Sequence, residues 1–144
     1  MTSSTTLSVD CGGGGIKASV LDAEGAIISR AVRTATPYPL PPATLVETIA
    51  SLAGRLPTAD RVTVGMPGMI RHGVVIATPH YITRDGPRSR VLPELVEAWS
   101  RFNMARAVGE RLDLPSLVLN DAEVAGAGVV TGRGLEMIVT LGTG

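Results

Sequence analysis

The sequence predicts one α/β domain built on a mixed five-stranded sheet with helices on both faces. Three strand-like segments open the chain without an intervening helix, and strands and helices alternate after them. Such an order is typical of a sheet that holds both antiparallel and parallel pairs. The 144 residues, of which 44% are hydrophobic, are enough for a single buried core. The expected order is β-β-β-α-β-α-β.

The first half of the chain contains the three opening strands, which are predicted at residues 5–10, 15–21 and 26–35. Four glycines separate the first two strands, and residues 22–25 are expected to form a hairpin turn before the third. Apolar residues then recur at helical spacing from Leu45 to Leu56, and Pro57 ends this helix.

The second half alternates strands and helices. Short strands are predicted at 61–65 and 74–77, with a turn at 66–69 between them and an irregular loop at 78–91. The apolar spacing from Leu95 to Leu112 predicts one helix, or two with a break at 100–103. The remaining elements are a strand at 116–119, a helix of small residues at 122–131 and a last strand at 137–141.

Composition excludes several classes of protein. The formal net charge is zero and the chain has no block of Lys or Arg, which argues against nucleic acid or an anionic membrane as the main partner. The single cysteine, Cys11, excludes an internal disulfide framework and a multi-cysteine metal site within these residues. A reducing, cytoplasmic setting fits this cysteine usage, and no apolar run approaches membrane-spanning length.

The densest basic cluster consists of Arg84, Arg88 and Arg90, in a loop that also contains Gly86 and Pro87. Two interpretations stay open for these arginines: a solvated loop, or a contact with an anionic substrate.

The segment from Asp10 through the four glycines 12–15 is the most informative part of the chain. An apolar run ends in an acid, then glycines, then a second strand-like run. Without β-carbons, glycines allow main-chain N–H groups to close on a phosphate, and Asp10 could hold a metal ion beside it. A plain tight turn is the alternative. Lys17 either contacts the same phosphate or points to solvent.

Asn120 and Asp121 lie where a predicted strand turns into a helix. That position places the Asp121 carboxylate at the end of the sheet where α/β proteins bind ligands. A carboxylate there could act as a general base, because a hydroxyl group is a poor nucleophile until its proton is accepted. The alternative is that Asp121 only caps the helix that follows.

Four segments in this order resemble those of the ROK-family sugar kinases: Asp10-x-Gly12-Gly13-x-x-x-Lys17, Gly65-Met66-Pro67-Gly68, Asn120-Asp121-Ala122 and Leu141-Gly142-Thr143-Gly144. This family belongs to the actin-like, ribonuclease-H-like ATPase superfamily, and the sequence is similar in particular to polyphosphate or ATP glucokinases. The resemblance covers residues 7–144, the first half of a typical member. It implies that residues 1–144 form the N-terminal lobe of a two-lobe kinase and that the second lobe is absent from this sequence.

The resemblance also implies roles for individual residues. Asp121 would be the general base for phosphoryl transfer from ATP or polyphosphate to a hexose, with glucose the expected acceptor. Asp10 would bind Mg²⁺. The donor phosphates would lie on Asp10, Gly12, Gly13, Gly142, Thr143 and Gly144. The sugar would contact Gly68, Asn103, Asn120 and Asp121.

Gly14 stands where the family usually has Ser or Thr, so a hydroxyl contact to phosphate or metal is lost in this chain. The fragment alone is expected to be inactive, because half of the cleft lacks its wall, and the full-length protein is expected to be a homodimer. The alternative function is a ROK-type sugar-sensing regulator that does no chemistry.

Overall fold

The computed structural model describes residues 4–139 of the chain. Their helices and strands, in chain order, are β1 (Thr6–Cys11), β2 (Gly15–Leu21), β3 (Val32–Ala35), α1 (Pro42–Ala53), β4 (Arg61–Met66), β5 (Met69–Arg71), β6 (Val74–Ala77), α2 (Pro93–Trp99), α3 (Met104–Leu112), β7 (Ser116–Asn120) and α4 (Asp121–Ala127).

Five of these strands form one mixed sheet in the order β3-β2-β1-β4-β7. Strand β2 is antiparallel to both of its neighbours, whereas β1, β4 and β7 run parallel. Strands β5 and β6 form a separate antiparallel pair. The mixed five-stranded sheet and its chain order are thus confirmed. The parallel arrangement brings the carboxyl ends of β1, β4 and β7 to one edge.

Helices cover both faces of the sheet, as predicted. Helices α1 and α3 pack against each other and against the aliphatic face that contains Val9, Val64 and Val118. Consecutive strand residues point to opposite faces, so Gly65 faces the other side. There α4 packs so closely that a β-carbon on Gly65 would lie 3.2 Å from Cγ2 of Val124. None of the four described helices has the length and apolarity that a membrane crossing requires.

An aromatic cluster fixes the loop at 78–91 against the core. The ring of Trp99 is buried, with its centroid 5.6 Å from that of Tyr81 and 5.9 Å from that of Phe102. Its Nε1 donates a hydrogen bond of 2.8 Å to the carbonyl oxygen of Leu40. This packing places Tyr81 beneath the glycine turn at residues 12–15.

The third strand is shorter than predicted: it spans Val32–Ala35 rather than residues 26–35, and the earlier residues pair with β2 only through an isolated bridge between Ile27 and Leu21. The backbone N–H of Val20 donates to Oγ of Ser29 at 2.8 Å, so a side chain takes the place of a carbonyl partner from a neighbouring strand. Ile27 and Ile28 are exposed there, so their apolar character does not mark a buried strand.

Other boundaries also differ from the predictions. The predicted helix break at 100–103 is confirmed, since α2 ends at Trp99 and α3 begins at Met104. Residue 69, predicted as part of a turn, and residues 70 and 71, for which no element was predicted, form β5. Helix α4 stops at Ala127, and residues 137–139 of the predicted last strand are not in a strand. Ile138 packs against Gly126 of α4. The other two residues of that prediction, 140 and 141, lie outside the described residues.

Candidate active site

The glycine turn and the Asn120–Asp121 corner lie at the same edge of the sheet. Asp10 on β1 is directly opposite Gly65 on β4, and Met66 is directly opposite Asn120 on β7. Two of the three segments that the sequence predicts at a common site are therefore brought together. The third, Gly142, Thr143 and Gly144, lies outside the described residues, and its place at the donor site remains a prediction.

The glycine turn needs its glycines for space rather than for unusual backbone angles. Residues 12–15 have no φ in the left-handed region. A β-carbon on Gly13 would lie only 2.9 Å from Cγ of Pro87, and one on Gly12 would lie 3.2 Å from the carbonyl oxygen of Gly15. Gly14 differs, because a β-carbon there would meet no atom within 4 Å.

Two hydroxyl groups from distant parts of the chain hold the glycine turn in place. The carbonyl oxygen of Gly12 accepts a hydrogen bond of 2.8 Å from Oγ1 of Thr36 and a longer one of 3.3 Å from the hydroxyl of Tyr81. Burial raises the pKa of the Tyr81 hydroxyl, and nearby groups that include Cys11, Asp121 and Asp10 raise it further. Tyr81 therefore keeps its proton and remains a donor.

Asp10 lies at the end of a row of charged residues on the open face of the sheet, next to two positive side chains. Lys17 is its direct partner on β2, and Arg33 is the partner of Lys17 on β3. All three side chains are exposed and line one cleft of about 280 Å³ together with Gly12 and Gly15. The Lys17 side chain is exposed to solvent, and it lines the same cleft as Gly12 and Gly15, so a contact of Lys17 with phosphate stays a prediction.

Asp10 also fits the way in which Mg²⁺ is usually held in phosphoryl transfer. The described residues contain no cluster of three or more metal-ligating side chains. Mg²⁺ commonly takes only one or two carboxylates and completes its coordination with water and substrate phosphates. A single exposed carboxylate beside the glycine turn, where donor phosphates are predicted, is compatible with that mode of binding.

The Asn120–Asp121 corner is held by a reciprocal helix cap. Oδ1 of Asn120 accepts from the N–H of Ala122 at 2.8 Å, and Oε2 of Glu123 accepts from the N–H of Asn120 at 3.0 Å. Asp121 occupies the first helical position, where its Oδ1 also accepts from Ala122 at 2.8 Å. The Asp121 carboxylate is exposed at the edge of the sheet, so it caps the helix and is open to a substrate.

The turn at residues 67–68 belongs to the same corner. Nδ2 of Asn120 donates to the carbonyl oxygen of Gly68 at 2.5 Å. Gly68 has a φ of +121°, and a β-carbon there would collide with the carbonyl of Ala77, so only glycine fits. Oγ1 of Thr78 donates to the carbonyl of Pro67 at 3.0 Å and fixes the turn from the other side.

Asn103 has a different environment from the other predicted sugar contacts. Its Oδ1 accepts from the N–H of Arg106 at 2.9 Å and caps α3, and its backbone is bridged to Val74 of β6. The structure therefore shows the side chain in a capping role. Its role as a sugar contact stays a prediction.

The sequence analysis did not identify Thr36, Tyr81 or Pro87 as neighbours of the glycine turn. They come from segments 24 or more positions away, and no motif marks them. One feature of the composition could have pointed to these neighbours. The chain has only two tyrosines, Tyr38 and Tyr81, and both lie at this turn.

Comparisons with known proteins agree on one family. The sequence profile of the ROK family matches residues 6–144. N-acetylmannosamine kinase from Escherichia coli O157:H7 is 29% identical over 122 residues, which cover 84% of this chain and 37% of that protein.

Solved structures give the same result. The ROK family glucokinase from Streptomyces griseus, determined with glucose and AMPPNP, superposes with a TM-score of 0.66 at 27% identity, over 86% of this chain and 35% of that one. The inorganic polyphosphate/ATP-glucomannokinase from Arthrobacter sp. strain KM gives a TM-score of 0.64 at 27% identity, over 85% and 46% of the two chains. The chain thus spans less than half the length of these relatives.

Proposed function

Because the chain belongs to the ROK family of sugar kinases and their relatives, we propose that it is the N-terminal lobe of a two-lobe kinase. The full-length protein would transfer a phosphoryl group from ATP or polyphosphate to a hexose hydroxyl, with glucose as the proposed acceptor. The observation that supports this proposal most is the position of Asp121, an exposed carboxylate at the same sheet edge as the glycine turn.

The donor phosphates would bind at the glycine turn, next to Asp10 and Lys17. Phosphoryl transfer depends on positioning and on neutralising charge rather than on covalent help from the protein. The turn is held rigidly by Thr36 and Tyr81, so its backbone would need little reorganisation when phosphate binds. Asp10 would hold Mg²⁺, which when bound would neutralise charge on the donor phosphates.

The acceptor sugar would bind at the corner formed by Asn120, Asp121 and the turn at 67–68. Asp121 would accept the proton of the attacking hydroxyl, a role that typically contributes about 10²–10⁴-fold to the rate. Asn120 is committed to the helix cap and to the carbonyl of Gly68, so we assign it mainly to holding Asp121 and the turn in position. Gly68 would contact the sugar through its backbone.

The test is an Asp121→Asn substitution in the full-length protein. The amide keeps the size of the side chain and can still accept from Ala122, but it cannot take up a proton. We expect kcat to fall by about 10²–10⁴-fold while the Kd for glucose, measured by calorimetry, stays close to that of the unaltered protein.

Asp113→Asn is the matched control, because Asp113 is exposed with a left-handed φ at the C-cap of α3, where asparagine is well tolerated. Turnover retained in Asp121→Asn would contradict the assignment of the base. Sugar binding by the unaltered full-length protein without turnover from either donor would contradict the kinase proposal and favour a sugar-sensing role.

A further inference from the structure

Thr36 and Tyr81 hold one particular peptide unit of the glycine turn, the unit between Gly12 and Gly13. We propose that they are positioning residues that fix the plane of this peptide, so that the N–H of Gly13 is directed at a phosphate of the donor. The inference rests on the proposed function and deepens it, because it takes the glycine turn as the place where the donor binds.

The carbonyl oxygen of Gly12 is held by two buried residues. Oγ1 of Thr36 donates to it at 2.8 Å, and the hydroxyl of Tyr81 donates to it at 3.3 Å. The exposed fraction is 8% for Thr36 and 0% for Tyr81. The ring of Tyr81 is in turn fixed by its contact with Trp99. This carbonyl therefore points toward the interior of the protein.

The direction of the Gly12 carbonyl also sets the direction of the next N–H. The peptide unit between Gly12 and Gly13 is trans, and in a trans unit the C=O and N–H bonds lie in one plane and point in opposite directions. The N–H of Gly13 thus points away from both hydroxyls. In the part of the chain that the structure describes, no carbonyl accepts from this N–H.

Glycine on both sides of this peptide makes a second orientation accessible. A half-turn of the peptide plane changes ψ of Gly12 and φ of Gly13, and Gly13 has no β-carbon that would oppose a positive φ. The rotated peptide would direct a carbonyl oxygen at the donor instead of an N–H. Since a carbonyl oxygen carries a negative partial charge, it would repel phosphate. A group outside the turn is therefore needed to select one orientation.

The two hydroxyls make this selection because they meet at one atom. A carbonyl oxygen has two lone pairs and can accept from both hydroxyls at once. One N–H in its place could serve only one of them, and the other would be left buried without a partner, which is unfavourable. Burial raises the pKa of the Tyr81 hydroxyl, so it stays protonated and remains a donor.

Other bonds of the turn agree with this assignment. The backbone N–H of Thr36 donates to the carbonyl of Gly14 at 3.4 Å, so a second carbonyl of the turn faces Thr36. The N–H of Gly12 is used within the turn, in a bond of 2.8 Å to the carbonyl of Gly15. Gly13 therefore offers an N–H of fixed direction, and a phosphate oxygen that accepts from it would make a charge-assisted hydrogen bond.

The experiment compares the double variant Thr36→Val/Tyr81→Phe of the full-length protein with two controls. Thr36→Ser keeps a hydroxyl at the same position. Thr48→Val removes a different hydroxyl that donates to a carbonyl, that of Thr44 at 2.7 Å in α1. Calorimetry measures the Kd for tripolyphosphate, which has phosphates but no base, and the Kd for glucose, after circular dichroism has shown that each variant is folded.

We expect the double variant to bind tripolyphosphate about tenfold more weakly, because the N–H of Gly13 is no longer held toward the phosphate. Thr36→Ser and Thr48→Val should stay within about threefold of the unaltered protein, and the Kd for glucose should not change in any variant. Unchanged tripolyphosphate affinity in the double variant would overturn the proposal. An equal loss for glucose would also overturn it, because it would show a general loosening of the lobe.

The amide proton of Gly13 gives a readout that a merely structural role would not move. In protein labelled with ¹⁵N-glycine, tripolyphosphate should shift this proton more than that of Gly12, which already donates to Gly15. The shift at Gly13 should be smaller in the single variant Thr36→Val, which tests the proposal even where the double variant does not fold. Binding of tripolyphosphate without a shift at Gly13 would contradict the assignment.

None of these measurements requires turnover. If the predicted losses and shifts occur but the full-length protein phosphorylates no sugar, the positioning role stands and the proposed kinase function fails. If the protein phosphorylates glucose while the double variant binds tripolyphosphate as the unaltered protein does, the kinase function stands and the positioning role fails.

Discussion

The glycine turn and the Asn120–Asp121 corner lie at one edge of one sheet, yet they are held in opposite ways. The corner is stabilised mainly by its own segment, since Asn120, Ala122 and Glu123 bond to one another within three positions. The glycine turn makes one bond of its own, from Gly12 to Gly15, and depends otherwise on groups from other segments. One site therefore combines a locally encoded half with a half that only the tertiary fold can assemble.

This difference matters for how the two halves respond to change. The corner can form as soon as the strand and helix around it form. The turn reaches its final shape only when the loops that carry Thr36, Tyr81 and Pro87 are docked. We therefore expect substitutions far from the turn in sequence to alter donor binding more than sugar binding.

The largest effect should come from removing both hydroxyls that bond to Gly12. Thr36→Val and Tyr81→Phe singly should each cost less than about 1 kcal/mol of unfolding free energy, because the other donor remains. Together they leave the carbonyl without either donor, and we expect a loss of about 2 kcal/mol that exceeds the sum of the single values. Urea unfolding measures the stability of the unaltered protein, the two single variants and the double variant. The Kd for the phosphoryl donor is measured on the same four proteins. Simple additivity would show that the two bonds do not share one acceptor in solution.

An intermediate effect is expected at the corner from Asn120→Asp. The carboxylate keeps the acceptor for Ala122 but loses the N–H that donates to Gly68, and it places negative charge against that carbonyl. We expect a loss of about 1 kcal/mol and weaker sugar binding, with donor binding unchanged. Glu123→Gln is the control, because glutamine preserves the reciprocal cap. A parallel loss of donor affinity would mean that the two halves are not separately held.

The smallest effect on stability is expected from Gly14→Thr. A side chain there meets no atom within 4 Å, so the unfolding free energy should change by less than about 0.5 kcal/mol. The restored hydroxyl should strengthen donor binding about fivefold if it reaches the phosphate. Gly13→Thr is the contrasting variant, because its β-carbon would press on Pro87 and should destabilise the turn. Unchanged donor affinity in Gly14→Thr would argue against phosphate at this turn.

The same division between local and long-range interactions explains how much of the fold could be predicted from the sequence. Hydrophobic periodicity and the positions of glycine and proline predicted the order of strands and helices along the chain and the break between α2 and α3, because those signals are local. The first part of the predicted third strand was wrong, since Ser29 replaces a backbone partner through its side chain. Strand β5 was missed because the glycine at 68 suggested a turn. The three residues of β5 are also too few to show the alternation of apolar and polar side chains that marks a strand.

The candidate site shows the same limit. Asp10, Gly12, Asn120 and Asp121 could be found because each lies at the carboxyl end of a strand or directly after it, and the motifs are short. Tyr81 could not, because its hydroxyl reaches Gly12 from 69 positions away and the contact depends on aromatic packing. The charges beside Asp10 required the strand register, which places Lys17 and Arg33 in one row.

The aromatic packing around Trp99 has a practical consequence. The sequence contains a single tryptophan, it is almost completely buried, and its ring touches the tyrosine that bonds to Gly12. The ultraviolet emission of this one indole consequently originates near the glycine turn. We expect a phosphoryl donor that binds at this turn to change the intensity or wavelength of that emission, with no second tryptophan within these 144 residues to add background.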